Sequence, residues 1–515
     1  FFLKNQIKNQ TNYTNYFLSV KDPINKYINR NFNFLSNKKI TQLKKLNCWY
    51  FNWAIKHKKI HNLIQKFIGN INLIPVSHHL AHAASTFFSS GFDKSNIIVI
   101  DGQGEQDTIT IYNGSKRSLE LISKTSWPNS LGMFYLAATS HLGYKLGDEY
   151  KVMGMSAYGK NNYLNYLEPS FDLNKFGELQ IQESEYIKFS ELVGTFHKNI
   201  TFTDKFTKIL PTCKDKKFEQ QHFDFAKSIQ TITENVGVKL SDWAYEKNKI
   251  DKICLAGGVA LNGLMNNKIL NSKYISDAFV YPASGDDGTS VGAALYTLSK
   301  DKNYNFHNKK IHTCFYGFKH SKKELQKNDQ FKNMKIIKDV NVYKFIAEKL
   351  KENKIVALFN SGAEFGPRSL GARSILANPT IPEMKEILNK KIKLREPYRP
   401  FAPICLDTDV RDFFEIDIQS NFMLFICKTK KDKIKKIPSV VHVDGTARVQ
   451  SINTENLHLH KILTEFKNLT NIPILINTSF NIGGEAIVNT VEDAVNSFKR
   501  MDIDYLILDN CIYTK

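Results

Sequence analysis

Two histidines, His78 and His82, stand four residues apart in the stretch VSHHLAHAAS. On a helix that spacing throws both imidazoles from one face, where they can converge on a single cation. An HxxxH pair alone is more often two partly exposed helix residues, so its neighbours decide its meaning. Downstream, the apolar run Ile97–Ile100 ends in Asp101-Gly102-Gln103-Gly104. A buried strand that delivers a carboxylate into a glycine turn is how α/β sheets build phosphate and metal sites. A second run, Phe279-Val-Tyr-Pro-Ala-Ser-Gly-Asp286-Asp-Gly288, repeats the pattern, so Asp286 can reach the same cleft as Asp101. Two imidazoles and two carboxylates suit iron, zinc or manganese, and softness does not separate the three.

A different chemistry gathers further on, where Arg368, Arg373, Lys393, Arg395 and Arg399 lie among glycines and prolines. Guanidinium forks bind phosphoryl and carboxylate groups through paired N–H bonds, so several on rigid loops suit a small, doubly charged substrate. As salt-bridge arginines they would need acids, and only Glu364 and Glu396 are close in sequence. Anion binding is the favoured reading. Glu149 and Lys151, in the Gly-bounded GDEYKVMG, read either as a pair beside the cleft or as a surface pair.

The elements that must position these groups alternate strand and helix. Ile97–Ile100 and the alternating Asp107–Tyr112 read as strands, with Asn113-Gly114 as a hairpin turn. Leu131–Leu142 and Phe223–Tyr245 have helical spacing. Lys252–Ala256 reads as a strand that turns at Gly257-Gly258 into a helix over Val259–Leu270, whose amino terminus offers free N–H groups to a ligand. A helix over Val291–Leu298, a Lys/Asn-rich connector near 300–312, a helix over Val342–Leu350 and strands at Lys354–Phe359 and Tyr505–Leu508 come next. No GxxxxGK[ST] occurs, which excludes an ordinary P-loop.

At 515 residues the chain exceeds a single core. Its net charge of +21 invites nucleic acid, yet the lysines are scattered among asparagines and isoleucines, so nucleic acid is not the expected partner. Seven cysteines, far apart and never in CxxC, fit a reducing cytoplasm. No apolar run is long enough to span a bilayer. Residues before about 70 read as a lysine-rich helical surface region, and the start at Phe1 rather than Met suggests a fragment.

Taken together, HHLAHAAS, DGQGE, SLGMFYLAATSHLGY, EYKVMGMSAYG, AGGVALN and SGDDGTSVGAA resemble the amino-terminal domain of the O-carbamoyltransferases, the group of nodulation and antibiotic-tailoring enzymes. The resemblance implies an actin-like ATPase fold, similar to the tRNA threonylcarbamoyl transferase, over residues 1–310. The motifs GAEFGPRSLGARSILANP, KLREPYRPFA, HVDGTARVQ and ILINTSFN resemble the YrdC-like carboxyl-terminal domain, over residues 311–515. It further implies an Fe(II)-like metal on His78, His82, Asp101 and Asp286, with His79 and Lys151 joining Asp101 as candidate catalytic side chains. Gly102, Gly104, Gly257, Gly258 and Asn262 would meet ATP. Arg368, Arg373, Lys393, Arg395, Arg399, Arg448, Asn477 and Asn481 would hold carbamoyl phosphate.

The implied reaction is ATP-dependent transfer of a carbamoyl group, through carbamoyl adenylate, to a hydroxyl of a small molecule or saccharide, by an enzyme that can also pair as a homodimer. Alternatives are a threonylcarbamoyl-type tRNA-modifying enzyme and a non-catalytic metal- and nucleotide-binding protein of the same fold. The family's His-Asp-Ser-Ala type segment is not found before residue 75, so this chain is expected to bind carbamoyl phosphate yet transfer poorly. Ser369, Ala372, Ala486 and Ser156-Ala157 depart from the family pattern in ways that change loop stiffness.

Overall fold

The apolar run before Asp101 is strand β1 (Lys94–Ile100), buried at every position but Lys94. Burial this continuous is that of a middle strand in a covered sheet. The computed structural model describes residues 74–191, 198–320, 331, 334–360 and 362–515, with isolated positions 62, 65, 66 and 69. Apart from those isolated positions, the helical region expected before residue 70 lies outside the described residues. His78–Lys188 and Thr201–Lys515 form one compact unit, which holds the two largest sheets and all of the candidate site residues.

Strand β1 is the centre of a five-stranded sheet. On one side it pairs antiparallel with β2 (Asp107–Ser115), which pairs antiparallel with β3 (Ser118–Ser126). On the other it pairs parallel with β4 (Lys252–Ala256), which pairs parallel with β5 (Asp277–Val280). The order is therefore 3-2-1-4-5. Because β1, β4 and β5 are parallel, their carboxyl ends and the turns beyond them open on the same edge.

The β2–β3 hairpin is present, but its turn is not at Asn113-Gly114. Both residues lie within β2, and the chain reverses at Lys116-Arg117, with Lys116 at φ 51°. Gly114 has a packing reason instead: a Cβ there would come within 2.9 Å of the Phe87 ring. The helix expected over Val259–Leu270 is likewise broken. A 3₁₀ turn over Gly258–Leu261 stops at Asn262, whose side chain accepts from the Met265 N–H and caps helix Gly263–Leu270.

Helices α1 (His78–Ser90), α2 (Leu131–His141) and α3 (Glu149–Met155) carry or adjoin candidate site residues. The long helix α4 (Gln220–Asn248) packs on β1, and α5 (Thr289–Lys300) packs on the outside of α1. Helix α5 crosses α1 at Gly292, where a Cβ would lie 1.8 Å from the Ala81 carbonyl oxygen.

A second, mixed sheet of eight strands is built from residues 335–514. In chain order these are β6 (Lys335–Ile337), β7 (Val356–Phe359), β8 (Arg373–Ala377), β9 (Ala402–Leu406), β10 (Gln450–Ile452), β11 (Ile474–Ser479), β12 (Tyr505–Leu508) and β13 (Cys511–Thr514). Across the sheet they run β6-β13-β12-β7-β8-β11-β9-β10, with only β7–β12 and β9–β10 parallel. Its core strands β7, β8 and β9 are buried throughout. Among the described residues no helix is long and apolar enough to cross a membrane.

Filling the α1–α5 crossing tests this architecture. Gly292→Ala forces two backbones apart and is expected to lower stability by about 1–3 kcal/mol. Urea denaturation monitored by circular dichroism measures it, and an unchanged midpoint contradicts the close crossing.

Candidate functional site

Asp101 is the first residue beyond β1, and both of its oxygens have defined work. Its Oδ1 accepts from the N–H of Gly102 (2.7 Å) and, more loosely, from that of Gly258 (3.3 Å). Its Oδ2 is left for the imidazoles, 2.9 Å from His78 Nε2 and 3.2 Å from His82 Nε2. The turn itself is pinned: Ser130, the N-cap of α2, donates to the Gly102 carbonyl, and the Gly257 N–H bonds the Ser284 carbonyl. Gly257 sits at φ 88°, and a Cβ there would lie 2.2 Å from the Ile100 carbonyl oxygen. The turns after β1, β4 and β5 are thus locked to one another.

Helix α1 supplies the histidines, and Glu105 fixes where it begins by accepting from the His78 backbone N–H (3.0 Å). A carboxylate at a helix amino terminus satisfies an orphan donor and complements the helix dipole. Asp286, after β5, completes the set. Its Oδ1 is 3.4 Å from His78 Nε2 and 3.6 Å from His82 Nε2. His82 is fully buried while the Asp286 side chain is 78% exposed, so the cluster is open on the Asp286 side.

The four ligand atoms lie within 4.8 Å of one another, and the two Nε2 atoms are 3.1 Å apart. Ligands held about 2.1 Å from a shared ion are roughly 3.0–3.4 Å apart. Two imidazole nitrogens facing each other and two carboxylate oxygens at this spacing fit a divalent cation. The carboxylates also favour the protonated imidazoles. Hydrogen bonding to Asp101, then to Asp286, raises His78 to about 10. Burial pulls His82 down, but the same carboxylates more than offset it. Asp286 is held well below the usual carboxylate range by His78 and His82, and Asp101 likewise despite its burial.

His79 faces elsewhere. Its Nδ1 is 3.0 Å from Thr110 Oγ1, burial pushes it down to about 4, and its Nε2 is buried without a partner. Gly104 lies against it: a Cβ on Gly104 would be 2.6 Å from the His79 ring. Lys151 pairs with Asp148 (2.8 Å) and Glu396 (3.6 Å), which places it beside the eight-stranded sheet's loops.

Those loops carry a cluster of cations. Glu364 Oε1 accepts from the backbone N–H groups of Leu370, Ala372 and Arg373, which shapes the loop bearing Arg368. Arg395 and Arg399 come after a π-turn over Leu388–Lys393, and Arg448 precedes β10. The charges repel one another. Burial, then Arg368, Arg395 and Arg399, pull Arg448 far down. Burial and Arg399 lower Arg395 to about 9, and burial lowers Arg368 to about 10, with Arg399 adding to it. The Nε atoms of Arg368 and Arg448 are buried without a hydrogen-bond partner. Buried, unsatisfied guanidinium donors call for an anion.

Several residues expected at the ligand have hydrogen-bond partners within the fold. Arg373, fully buried, donates to the carbonyls of Asn360 and Ala372 and stacks on Phe359, 3.7 Å from the ring centre. The Lys393 ammonium is enclosed by Ser479 and Asn481, and Asn481 donates to the Glu485 carbonyl. Asn477 ties the Ser369 carbonyl to Gln450, and Asn262 exchanges two amide hydrogen bonds with Gln230. Glu105, the Tyr144–Tyr398 pair and Glu396's contact with Lys151 are not assigned by the sequence reading. The DGQGE motif contains Glu105, whereas no local signal couples residues so far apart as Lys151 and Glu396.

Comparison with known proteins matches residues 4–295 to the family model described as carbamoyltransferase N-terminus and residues 347–515 to that described as carbamoyltransferase C-terminus. An uncharacterised protein of Synechocystis sp. is 33% identical over 468 residues, covering 85% of this chain and 75% of its own. Nodulation protein NolO of Bradyrhizobium diazoefficiens is 33% identical over 444 residues, covering 84% and 78% respectively. Among solved structures, HypF in its phosphate- and nucleotide-bound form aligns at 14% identity over 50% of this chain and 51% of that one, with a TM-score of 0.26, too remote for inference.

Because His78 carries its proton at neutral pH in the metal-free protein, a cation must displace it. In that metal-free protein the stabilisation from protonated His78 is complete below its ordinary 6.5 and is lost as pH rises through about 10. Titration calorimetry with Mn²⁺ in buffers of different ionisation heat is expected to show about one proton released per ion at pH 7, and affinity rising with pH. Binding without proton release contradicts the arrangement. His82→Ala is expected to weaken binding by more than the roughly ten- to hundredfold typical of losing an outer partner.

Proposed function

This chain belongs to the carbamoyltransferase family and is a transferase, and on that premise we propose that it is an ATP-dependent O-carbamoyltransferase. Its donor is carbamoyl phosphate, its intermediate carbamoyl adenylate, and its acceptor a hydroxyl of a small molecule or saccharide. The observation that carries this reading is the cation cluster of Arg368, Arg395, Arg399 and Arg448, two of whose buried donors have no partner. A phosphoryl group supplies both the missing acceptors and the missing negative charge.

The chemistry divides in two. Water hydrolyses carbamoyl phosphate to carbamate and inorganic phosphate, and a carbamate oxygen then attacks the α-phosphorus of ATP and expels pyrophosphate. The acceptor hydroxyl then attacks the carbamoyl carbon, and AMP and a proton leave. Carbamate is a poor electrophile and its adenylate a good one, which water would destroy, so the adenylate needs a screened route.

We assign the first step to the loops of the eight-stranded sheet, within a YrdC-like domain over residues 311–515. The second belongs to the five-stranded sheet, within an actin-like domain over residues 1–310. The 3-2-1-4-5 strand order and the three interlocked turns support that division. In the second step the glycine turn at Gly257-Gly258, which carries no side chain to obstruct a close approach, would lie against the nucleotide, while the Asn262 side chain is occupied by Gln230. A divalent cation, Fe(II) by family resemblance with zinc or manganese as alternatives, would be held by His78, His82, Asp101 and Asp286 and would supply Lewis-acid polarisation of phosphate and carbamoyl oxygens.

Pyrophosphate exchange separates the two steps. The wild-type chain is expected to exchange pyrophosphate into ATP only when carbamoyl phosphate is present. Arg448→Met is expected to lower that exchange by about a hundredfold or more, the scale of losing a charged donor. His82→Ala is expected to keep exchange within a few fold while abolishing carbamoylation of acceptors detected by mass spectrometry. Exchange that needs no carbamoyl phosphate, or that survives Arg448→Met, contradicts the assignment.

A further inference from the structure

Among the described residues, Glu396 is the one carboxylate within ion-pair reach of any cation in the arginine cluster. Its two oxygens face different partners. Oε2 is 3.4 Å from Arg399 Nη1, and Oε1 is 3.6 Å from Lys151 Nζ, which reaches across from helix α3. Both distances exceed the 2.7–2.9 Å of a close charge-assisted hydrogen bond, so Glu396 is shared loosely between the two cations.

Arg399 is the cation with the broadest reach in the cluster, because its charge bears on Arg368, Arg395, Arg448 and Lys393 together. The turn from Glu396 to Arg399 is also the part of the cluster most engaged with the segment around α3. The Tyr398 and Tyr144 hydroxyls are 2.6 Å apart, Tyr158 donates to the Tyr398 carbonyl (3.2 Å), and Arg399 lies 4.8 Å over the Tyr150 ring. A shift of Glu396 between its two cations therefore moves charge from one sheet's loops to the other's.

We propose that Glu396 is a tethered counter-ion that stands in for the anionic substrate at Arg399 and passes to Lys151 when an anion enters, reporting occupancy of the cluster to helix α3. The inference rests on the reading that the cluster binds a phosphoryl group. As a carboxylate fixed beside Arg399, Glu396 competes with an incoming phosphate. Lys151 draws it away, and so favours binding without touching the ligand. Both are positioning residues.

Opposite signs in two variants are the signature. Titration calorimetry with inorganic phosphate, at ~0.15 M salt so that distant charges are screened, compares wild type, Glu396→Gln, Lys151→Met and the double variant. Glu396→Gln is expected to bind phosphate about two- to fivefold more tightly, the scale of a partly exposed ion pair. Lys151→Met is expected to bind more weakly by a similar factor. The double variant is expected to match Glu396→Gln, because Lys151 then has no carboxylate to draw away.

A role confined to holding the turn together would make Glu396→Gln bind more weakly. That result, an unchanged affinity, or a Lys151→Met loss that persists in the double variant overturns the proposal. Wild-type protein with no phosphate affinity, or affinity that survives Arg448→Met, overturns the phosphoryl reading itself and the inference with it.

Discussion

A carboxylate at the mouth of a buried strand stays ionised only if its surroundings replace the water it has lost. Asp101 meets that condition with one oxygen on the backbone N–H groups of Gly102 and Gly258 and the other facing two imidazoles. Everything else at this edge of the sheet depends on that division. The N–H contacts require the turns after β1 and β4 to approach within hydrogen-bonding distance, which the positive φ at Gly257 allows. The imidazole contacts require α1 to start where Glu105 holds it. Asp286 then needs only the parallel pairing of β4 and β5 to arrive at the same point.

The two candidate sites present opposite electrostatic demands. At the histidine cluster, two carboxylates face two imidazoles and favour their protonated forms, so a divalent cation can take the place of the His78 proton. At the arginine cluster the excess is positive, and mutual repulsion among buried guanidinium groups is relieved by nothing closer than Glu396 among the described residues. A phosphorylated, nucleotide-dependent substrate pair suits both. The segment around α3 meets the loops of the eight-stranded sheet through Tyr144, Tyr158, Lys151, Glu396 and Tyr398.

Much of this is legible in the chain because it is local. Helical period places His78 and His82 on one face, and the sequence of apolar run, carboxylate and glycine marks the ends of β1 and β5. What is not legible depends on orientation and distance. Arg368 and Arg373 share one glycine-rich run, yet Arg373 opens strand β8 opposite Phe359, and that register turns its guanidinium onto the ring and neighbouring carbonyls. Asn113-Gly114 has the composition of a turn, but Gly114 is there to let Phe87 and Ile97 close over it. Lys151 has the sequence neighbours of a group for the histidine cleft; its partner Glu396 lies far along the chain, where no spacing rule reaches. Asn262, Asn477 and Asn481 share one feature: each amide fastens its loop to a neighbouring segment through a partner that no spacing rule predicts.

The proposed function requires four side chains to share one cation while the arginine cluster holds a phosphoryl group. A crystal grown with Mn²⁺ and carbamoyl phosphate, measured above the manganese absorption edge, examines both in one anomalous-difference map. The expected result is a single strong peak within bonding distance of His78, His82, Asp101 and Asp286, with phosphate density between Arg368 and Arg448. A peak that leaves out Asp286, or phosphate density seated away from those two guanidinium groups, would contradict it.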